Sequence, residues 1–281
     1  MRTLVHLSDL HFGRIDHAIV RPLIDIVHKI KPDLVAVSGD LTQRARSAQF
    51  REARAFLDAL PGPQIVVPGN HDVPLYNLFA RFLRPLSKYQ RYITDDLEPF
   101  YADAQIAILG LNTARSLTIK HGRINEHHIA RIRERLSGYG EGITKIIVTH
   151  HPFHFPDLPN RQDVYDLVRG ASEAMETLAH CRIDVLLAGH LHRSHTGHTA
   201  ERYTMAGYSA LVVSAGTAIS TRSRGEGNSF NVLRIEHPRI QVRRFEWQPR
   251  CAAFRSSRAE DFAHTPQGWM RLEGTAWTPQ A

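Results

Sequence analysis

Aspartate, histidine and asparagine residues recur in five short blocks along the first two-thirds of this 281-residue chain. The blocks are Asp9-Leu10-His11, Gly39-Asp40, Gly69-Asn70-His71-Asp72, His150-His151-Pro152 and Gly189-His190-Leu191-His192. Carboxylate, imidazole and amide oxygen are ligands that suit Mn²⁺, Fe²⁺/³⁺, Zn²⁺ or Co²⁺, and no cysteine competes to make a softer site. Two such metals about 3.5–4 Å apart clamp the attacking and leaving oxygens of a phosphoryl displacement. The blocks therefore predict metal-dependent hydrolysis of a phosphate ester.

Each block falls where a hydrophobic run gives way to turn residues. The predicted strands are residues 2–7, 34–37, 64–67, 105–111, 145–148 and 184–187, and the helices between them are 17–30, 47–60, 126–136 and 172–179. Such alternation predicts parallel strands joined by right-handed crossovers. Parallel sheets carry their functional groups in loops beyond the carboxyl ends of the strands, so we expect the blocks to meet at one edge. Asp40 lies between the other two early blocks in strand order, and is therefore the candidate bridge between two metals.

The remaining segments are less regular. Residues 76–92 are predicted to be helical. After about residue 196, alternating segments at 210–214, 230–235 and 240–245 predict a second, more antiparallel sheet. We place a catalytic domain at residues 1–250 and a C-terminal extension of unknown role at 251–281, which either wraps the body or frays.

Composition narrows the class of protein. The hydrophobic and charged fractions, 42% and 22%, are ordinary for a globular chain. The two cysteines, Cys181 and Cys251, have no paired spacing and are expected to be free, buried thiols in a reducing cytosol. The N-terminal apolar run is too short for a signal peptide, and no run is long enough to cross a membrane, so a cytoplasmic protein is expected. The net charge of +7 favours an anionic partner.

The five blocks, in this order, resemble the signature of the calcineurin-like metallophosphoesterases. The resemblance implies an α/β fold, a four-layer α/β/β/α sandwich with two mixed β-sheets and a metal site at the carboxyl ends of the strands. It implies two metal ions, with manganese, iron or zinc as candidates. One metal would be held by Asp9, His11, Asp40 and His192. The other would be held by Asp40, Asn70, His150 and His190, with His150 preferred over His151 because the family's ligand stands two residues before proline.

The same resemblance implies a mechanism. A hydroxide bridging the metals would be the nucleophile, and His71 would stabilise developing charge and protonate the leaving oxygen. The residues expected to contact substrate are His11, Asp40, Asn70, His71 and His192. Asp72 would either orient His71 or cap the following segment, and the sequence leaves these two roles open.

The block details favour one class of ester. The chain lacks the Gly-Asp-x-Val-Asp-Arg-Gly and Gly-Asn-His-Glu blocks of Ser/Thr protein phosphatases. It is most similar to bacterial class III cyclic-nucleotide phosphodiesterases and related glycerophosphodiesterases, which implies a small phosphodiester substrate, cyclic AMP being the best known. The opening Ser8-Asp9-Leu10-His11 is also similar to double-strand-break repair nucleases, so a nuclease is the alternative. A third interpretation is a non-catalytic scaffold, although all the candidate metal ligands and His71 are present.

Several residues near the blocks have open assignments. His154, His195 and His198 either line the substrate pocket or are ordinary surface and core histidines. Arg222 and Arg224 lie in a glycine-bearing loop that is either a surface turn or a contact for phosphate or base. The sequence also leaves the oligomeric state open, with a homodimer as one option.

Overall fold

The computed structural model describes residues 1–117, 121–155, 167–203, 205, 207–222 and 225–273. The strands within these ranges are β1 (Arg2–Leu7), β2 (Leu34–Ser38), β3 (Gln64–Val67), β4 (Phe100–Ala102), β5 (Ile106–Gly110), β6 (Thr144–Val148), β7 (Val185–Ala188), β8 (His195–His198), β9 (Leu211–Ser214), β10 (Ser229–Glu236), β11 (Arg239–Gln248), β12 (Ala253–Thr265) and β13 (Gly268–Arg271). The helices are α1 (His17–Ile30), α2 (Ser47–Asp58), α3 (Leu78–Leu83), α4 (Ser87–Tyr92), α5 (Glu126–Leu136) and α6 (Ala171–His180).

The strands form two mixed sheets. In the first, the order is β13-β12-β11-β10-β1-β2-β3, with β1, β2 and β3 parallel and β10 to β13 antiparallel. In the second, the order is β4-β5-β6-β7-β9-β8, with the four inner strands parallel and each edge strand antiparallel. The four predicted crossovers, β1–α1–β2, β2–α2–β3, β5–α5–β6 and β6–α6–β7, connect neighbouring parallel strands as expected.

Three apolar cores separate four layers. Side chains of both sheets meet in the inner core, for example Leu4 and Ala36 of the first sheet with Ile146 and Leu187 of the second. Helices α1 and α2 cover the outer face of the first sheet, and α5 and α6 cover that of the second. The α/β/β/α sandwich implied by the sequence is therefore the fold of the protein. Because β2 and β5 are buried on both faces, their sequences are continuous apolar runs rather than alternating ones.

Two of the predicted elements differ from the structure. The prediction of one helix over residues 76–92 was wrong, since α3 and α4 are separate and Pro85 lies between them. Proline lacks an N–H and disfavours helical backbone at the preceding residue, and Arg84 indeed has a ψ of 61°.

The prediction of a separate antiparallel sheet after residue 196 was also wrong. Strand β9 joins the second sheet parallel to β7, whereas β10 joins the first sheet beside β1. The faces of β10 alternate between two cores, with Phe230 and Val232 in one and Leu233 and Ile235 in the other. Such a pattern predicts a central strand but does not indicate which sheet the strand joins.

The described part of the C-terminal segment, up to residue 273, lies in the first sheet. Strand β12 pairs with β11 over its whole length, and β13 pairs with β12. Trp269 of β13 is buried in the inner core, where its Nε1 donates a hydrogen bond to Asp184 Oδ1 across 2.8 Å. A role for the chain after residue 250 stays a prediction.

Two smaller points concern cysteine and membranes. Both cysteines are free as predicted, but Cys251 is exposed rather than buried because it lies in the turn between β11 and β12. Among the described residues, no helix is both long and apolar enough to span a bilayer.

Candidate metal centre

The candidate ligands lie in five loops at one edge of the two sheets. Asp9, Asp40 and Asn70 follow β1, β2 and β3, and His150 and His190 follow β6 and β7. His11 and His192 lie two residues further along their loops. Parallel strands direct their carboxyl ends to the same edge, which brings residues 181 positions apart in the chain into contact.

The first set consists of Asp9, His11, Asp40 and His192, all buried. The Nε2 atoms of His11 and His192 are 3.1 Å apart. Asp9 Oδ1 lies 3.2 Å from His192 Nε2 and 3.6 Å from His11 Nε2. Asp40 Oδ2 lies 3.6 Å from His11 Nε2. Each residue thus directs one oxygen or nitrogen atom towards a common point.

The second set consists of Asp40, Asn70, His150 and His190. Asn70 Oδ1 lies 3.0 Å from His150 Nε2 and 3.1 Å from His190 Nδ1, and these two nitrogens are 3.2 Å apart. Asp40 Oδ1 lies 3.3 Å from His150 Nε2. The two oxygens of Asp40 therefore face different sets, an arrangement that suits a bridging carboxylate.

The arrangement of protons fits cation binding. His150 Nδ1 lies 2.8 Å from the carbonyl of Ser38, and His192 Nδ1 lies 2.8 Å from the carbonyl of Arg222. A carbonyl only accepts hydrogen bonds, so each Nδ1 carries a proton, and each ring presents an Nε2 lone pair to its set once Nε2 has lost its own proton. In addition, Asp9 Oδ1 is buried and has no hydrogen-bond partner among the described residues. Lone pairs converging in a buried space repel each other unless a cation lies among them, so the donor set fits two metal ions.

Electrostatics keep the two carboxylates ionised. Burial opposes ionisation of Asp9 and Asp40, but the neighbouring imidazoles outweigh it. His192 and His11 hold the pKa of Asp9 well below its usual value, and His150 does the same for the pKa of Asp40. Conversely, burial lowers the pKa of His150 but the charge of Asp40 outweighs this and raises it to about 9. Metal binding at this site would displace that proton, so affinity should rise with pH.

The backbone of these loops is strained. Five of the candidate ligands have positive φ angles, which non-glycine residues rarely adopt: Asp9 (53°), His11 (51°), Asp40 (53°), His190 (72°) and His192 (55°). Such conformations cost about 1–3 kcal/mol each and cluster at functional sites. Close approach also requires glycine at two positions. A Cβ on Gly69 would lie 2.1 Å from Asp40 Oδ1, and one on Gly189 would lie 1.8 Å from Ser8 Oγ.

Comparison with known proteins agrees with this geometry. The family model described as calcineurin-like phosphoesterase matches residues 2–194, which contain all five blocks. The chain belongs to the calcineurin-like phosphoesterase family. The family resemblance read from the sequence is thereby confirmed.

Individual relatives are more distant. The chain is 28% identical over 160 residues to the glycerophosphodiester phosphodiesterase GpdQ of Enterobacter lignolyticus, covering 53% of this chain and 56% of the relative. It is 26% identical over 168 residues to the 3',5'-cyclic adenosine monophosphate phosphodiesterase CpdA of Escherichia coli, covering 59% of this chain and 56% of the relative. The aligned region thus spans little more than half the length of either relative.

A solved structure supports the fold. Purple acid phosphatase PPD1 from yellow lupin superposes with a TM-score of 0.69 at 11% identity, over 87% of this chain and 51% of that one. At this identity the likeness concerns the fold alone.

Asp72, in the third family block, has neither of the roles considered from the sequence. Its Oδ2 accepts hydrogen bonds from the backbone N–H groups of Gly69 (2.9 Å) and Leu41 (3.1 Å). Its Oδ1 accepts from the N–H (2.8 Å) and the hydroxyl (3.0 Å) of Thr42. Asp72 therefore ties the loop carrying Asp40 to the turn carrying Asn70. Ser8 holds the side chain of Asp9 in place, because its hydroxyl donates a hydrogen bond to Asp9 Oδ2 across 2.7 Å.

His71 lies beside the first set of candidate ligands. Its ring centroid lies 4.9 Å from that of His11, and its Nδ1 donates to the carbonyl of Gln43 across 2.9 Å. Its Nε2 accepts a hydrogen bond from Nη1 of Arg222, also across 2.9 Å. The backbone carbonyl of Arg222 is the one that fixes His192. Arg222 is thus part of the site, whereas the sequence favoured a simple surface turn for its loop. Arg224 lies outside the described residues.

Among the other histidines, His151 forms a group with His150 and His190, three buried side chains whose ligand nitrogens lie within 4.8 Å of one another. His151 Nδ1 pairs with Thr113 Oγ1 at 2.8 Å, and its ring centroid lies 4.5 Å from that of His190. His150, rather than His151, directs Nε2 at Asp40. His154 Nε2 lies within hydrogen-bonding distance of Glu201 Oε2 (3.1 Å), and His198 Nε2 lies 3.8 Å from Glu201 Oε1. Burial lowers the pKa of the nearby His195 to about 4.

The structure reveals three backbone groups of the site that could not be predicted from the sequence. The carbonyl groups of Ser38, Gln43 and Arg222 orient His150, His71 and His192 respectively. A backbone carbonyl is present at every position, so no residue type marks the ones that orient a ligand.

Proposed function

We propose that this protein is a dinuclear metal-dependent phosphodiesterase that acts on small phosphodiesters, with 3',5'-cyclic nucleotides as the first candidates. The observation that carries the proposal is the position of Asp40, whose two oxygens face two separate sets of ligand atoms. The phosphodiesterase relatives support the choice of diester over monoester.

The chain's own residues define where the substrate lies. Asp9, His11, Asp40 and His192 would hold one metal, and Asp40, Asn70, His150 and His190 would hold the other. When bound, two such ions would neutralise phosphate charge and lower the pKa of a water molecule towards neutrality. His11, Asp40, Asn70, His71 and His192 face the space that the phosphate group would enter.

His71 and Arg222 act on the oxygen atoms of the phosphate. The carbonyl of Gln43 fixes the imidazole of His71 beside His11 of the first set. In its imidazolium form, with Arg222 turned to the phosphate, His71 would donate the proton on Nε2 to the leaving oxygen as the P–O bond breaks, and the products would be an alcohol and a phosphomonoester. Arg222 places a permanent positive charge next to the same atom and stabilises the additional negative charge of the transition state.

The test is turnover by protein reconstituted with manganese, iron or zinc. The substrates are bis-p-nitrophenyl phosphate, cyclic nucleotides, glycerophosphodiesters, a phosphomonoester and single-stranded DNA. We expect hydrolysis of small diesters with little on the monoester. Preferred cleavage of DNA would instead favour a nuclease, and absence of turnover with two metals bound would refute the proposal.

Asp40→Ala tests the bridging role directly. We expect the variant to lose both metals, measured by elemental analysis, together with activity. Asp25→Ala is the matched control, because Asp25 is exposed on α1 and forms an ion pair with Arg21, which is also exposed. Two metals retained by Asp40→Ala would contradict the bridging assignment.

A further inference from the structure

A cavity of about 490 Å³ lies between the loop before α5 and the first turn of α6. Arg115, Arg123 and Arg169 line it, together with Glu126 and Glu173. Within the described residues, the side chains of these three arginines have neither a hydrogen bond nor an ion pair. The lining therefore carries an excess of positive charge that this part of the chain does not neutralise.

Two of these arginines are held side by side by the backbone. Arg123 and Arg169 form a parallel β-bridge, in which Ile124 N donates to the carbonyl of Arg169 (2.8 Å) and Arg169 N donates to that of Gly122 (3.0 Å). Like charges placed directly opposite each other are destabilising. An anion between them removes this cost, and paired guanidinium groups match the oxygens of a phosphate.

The backbone of α6 adds to the attraction for anions. The helix has ten residues, and Gly170, with a φ of 80°, precedes its first turn without any side-chain hydrogen bond to the helix end. By contrast, Asn125 caps α5 by accepting from the N–H of His128. Uncapped N–H groups and the positive end of the helix dipole both favour an anion.

The cavity is close to the candidate metal centre. Helices α5 and α6 follow β5 and β6, so both begin at the edge of the sheets where the ligands gather. Gly122 lines the cavity and also packs on His151, since a Cβ at that position would lie 2.2 Å from His151 Nδ1. The ring of His151 in turn contacts that of His190. One imidazole therefore separates the cavity wall from a candidate metal ligand.

We propose that this cavity binds a second phosphate group carried by the same molecule whose diester is cleaved. This inference rests on the proposed function. It assigns a substrate class, phosphodiesters with an additional terminal phosphate, and makes Arg123 and Arg169 determinants of specificity.

The experiment compares the dinucleotide ApA with its 5'-phosphorylated form, pApA. We expect the wild type to have a KM for pApA at least about tenfold lower, the effect of one charge-assisted hydrogen bond. Arg123→Gln/Arg169→Gln should abolish this preference while KM for ApA and turnover of bis-p-nitrophenyl phosphate change less than about twofold. Arg250→Gln/Arg255→Gln, two exposed arginines at the β11–β12 connection, is the matched control and should behave as wild type.

Equal KM values for ApA and pApA in the wild type would overturn the inference, and so would an equal loss on both in the double variant. Added inorganic phosphate could instead change the turnover of bis-p-nitrophenyl phosphate in the wild type but not in the Arg123→Gln/Arg169→Gln variant, without any preference for pApA. The cavity would then bind a separate anion, and the inference would also be overturned.

Calorimetric titration of the metal-free protein with ApA and pApA provides a second readout, independent of turnover. Tighter binding of pApA that the double variant loses supports the subsite even if no diester is hydrolysed. If bis-p-nitrophenyl phosphate is hydrolysed while neither readout distinguishes the dinucleotides, the subsite fails and the proposed function stands.

Discussion

The guanidinium of Arg222 donates a hydrogen bond to Nε2 of His71, whose ring centroid lies 4.9 Å from that of the candidate ligand His11. Because His71 Nδ1 donates to the carbonyl of Gln43, the ring in this arrangement is neutral and its Nε2 carries a lone pair. A protonated His71 cannot accept from Arg222. When His71 acts as an acid, the guanidinium must therefore turn to another acceptor, and the oxygens of a bound phosphate are suitable ones.

Replacing Arg222 should affect catalysis without emptying the metal sites. We expect Arg222→Gln to lower kcat/KM for bis-p-nitrophenyl phosphate by about 10- to 100-fold, because one charge-assisted hydrogen bond in the transition state is lost. Metal content should be unchanged, since Arg222 contacts His192 through its backbone carbonyl, which glutamine retains. Arg14→Gln, an exposed arginine whose carbonyl contacts the same loop, is the control. Wild-type kinetics for Arg222→Gln would contradict the role.

Replacing His71 should reveal its function through the leaving group. His71→Ala is expected to keep both metals but to lose about 10²- to 10⁴-fold in kcat on a diester with an alkoxide leaving group. The loss on bis-p-nitrophenyl phosphate should be smaller, because p-nitrophenolate leaves without a proton. An equal loss on both substrates would argue against acid catalysis by His71.

Removing the carboxylate of Asp72 should destabilise the fold as well as the site. Asp72→Ala would leave the buried N–H groups of Gly69, Leu41 and Thr42 without their acceptor. We expect the free energy of unfolding of the metal-free protein to fall by about 2–4 kcal/mol, measured by urea denaturation, with weaker metal binding. A variant as stable as the wild type would show that Asp72 does not hold the two loops together.

Buried His128 should make stability depend on pH. Burial lowers its pKa from 6.5 to about 4, so between these values the unfolded chain binds a proton that the folded protein does not. Stability due to this group is therefore complete above about pH 6.5 and is lost as the pH falls towards 4. Glu98 lies 3.6 Å from His128 Nε2 and favours the charged form, which reduces the effect to about 1–3 kcal/mol.

The variant His128→Gln tests this pH dependence. Glutamine retains an acceptor for the N–H of Asn125 at the start of α5 but does not titrate. Urea denaturation of the metal-free proteins at pH 6.5 and 4.5 should give a smaller loss of unfolding free energy for the variant. The same loss in both proteins would exclude His128 as a source of the pH dependence.

The amino-acid sequence by itself determined the family, the order of the first strands and helices, and the group of candidate ligands. These features depend on local information. Apolar runs such as that of β2 specify strands buried on both faces, and the residue types that bind metal follow such runs directly. The direction of parallel strands then requires Asp9, Asp40 and Asn70 to meet at one edge.

Only the tertiary structure decided how these residues are supported and what surrounds them. The sheet that β10 joins depends on pairing with β1 across more than two hundred residues, which no local pattern records. The contact of Arg222 with His71 depends on the path of a loop 151 residues further along the chain. Asp72 bonds to N–H groups and His150 to a carbonyl, and these backbone groups exist at almost every residue. Which of them meet a given side chain is fixed by packing in three dimensions.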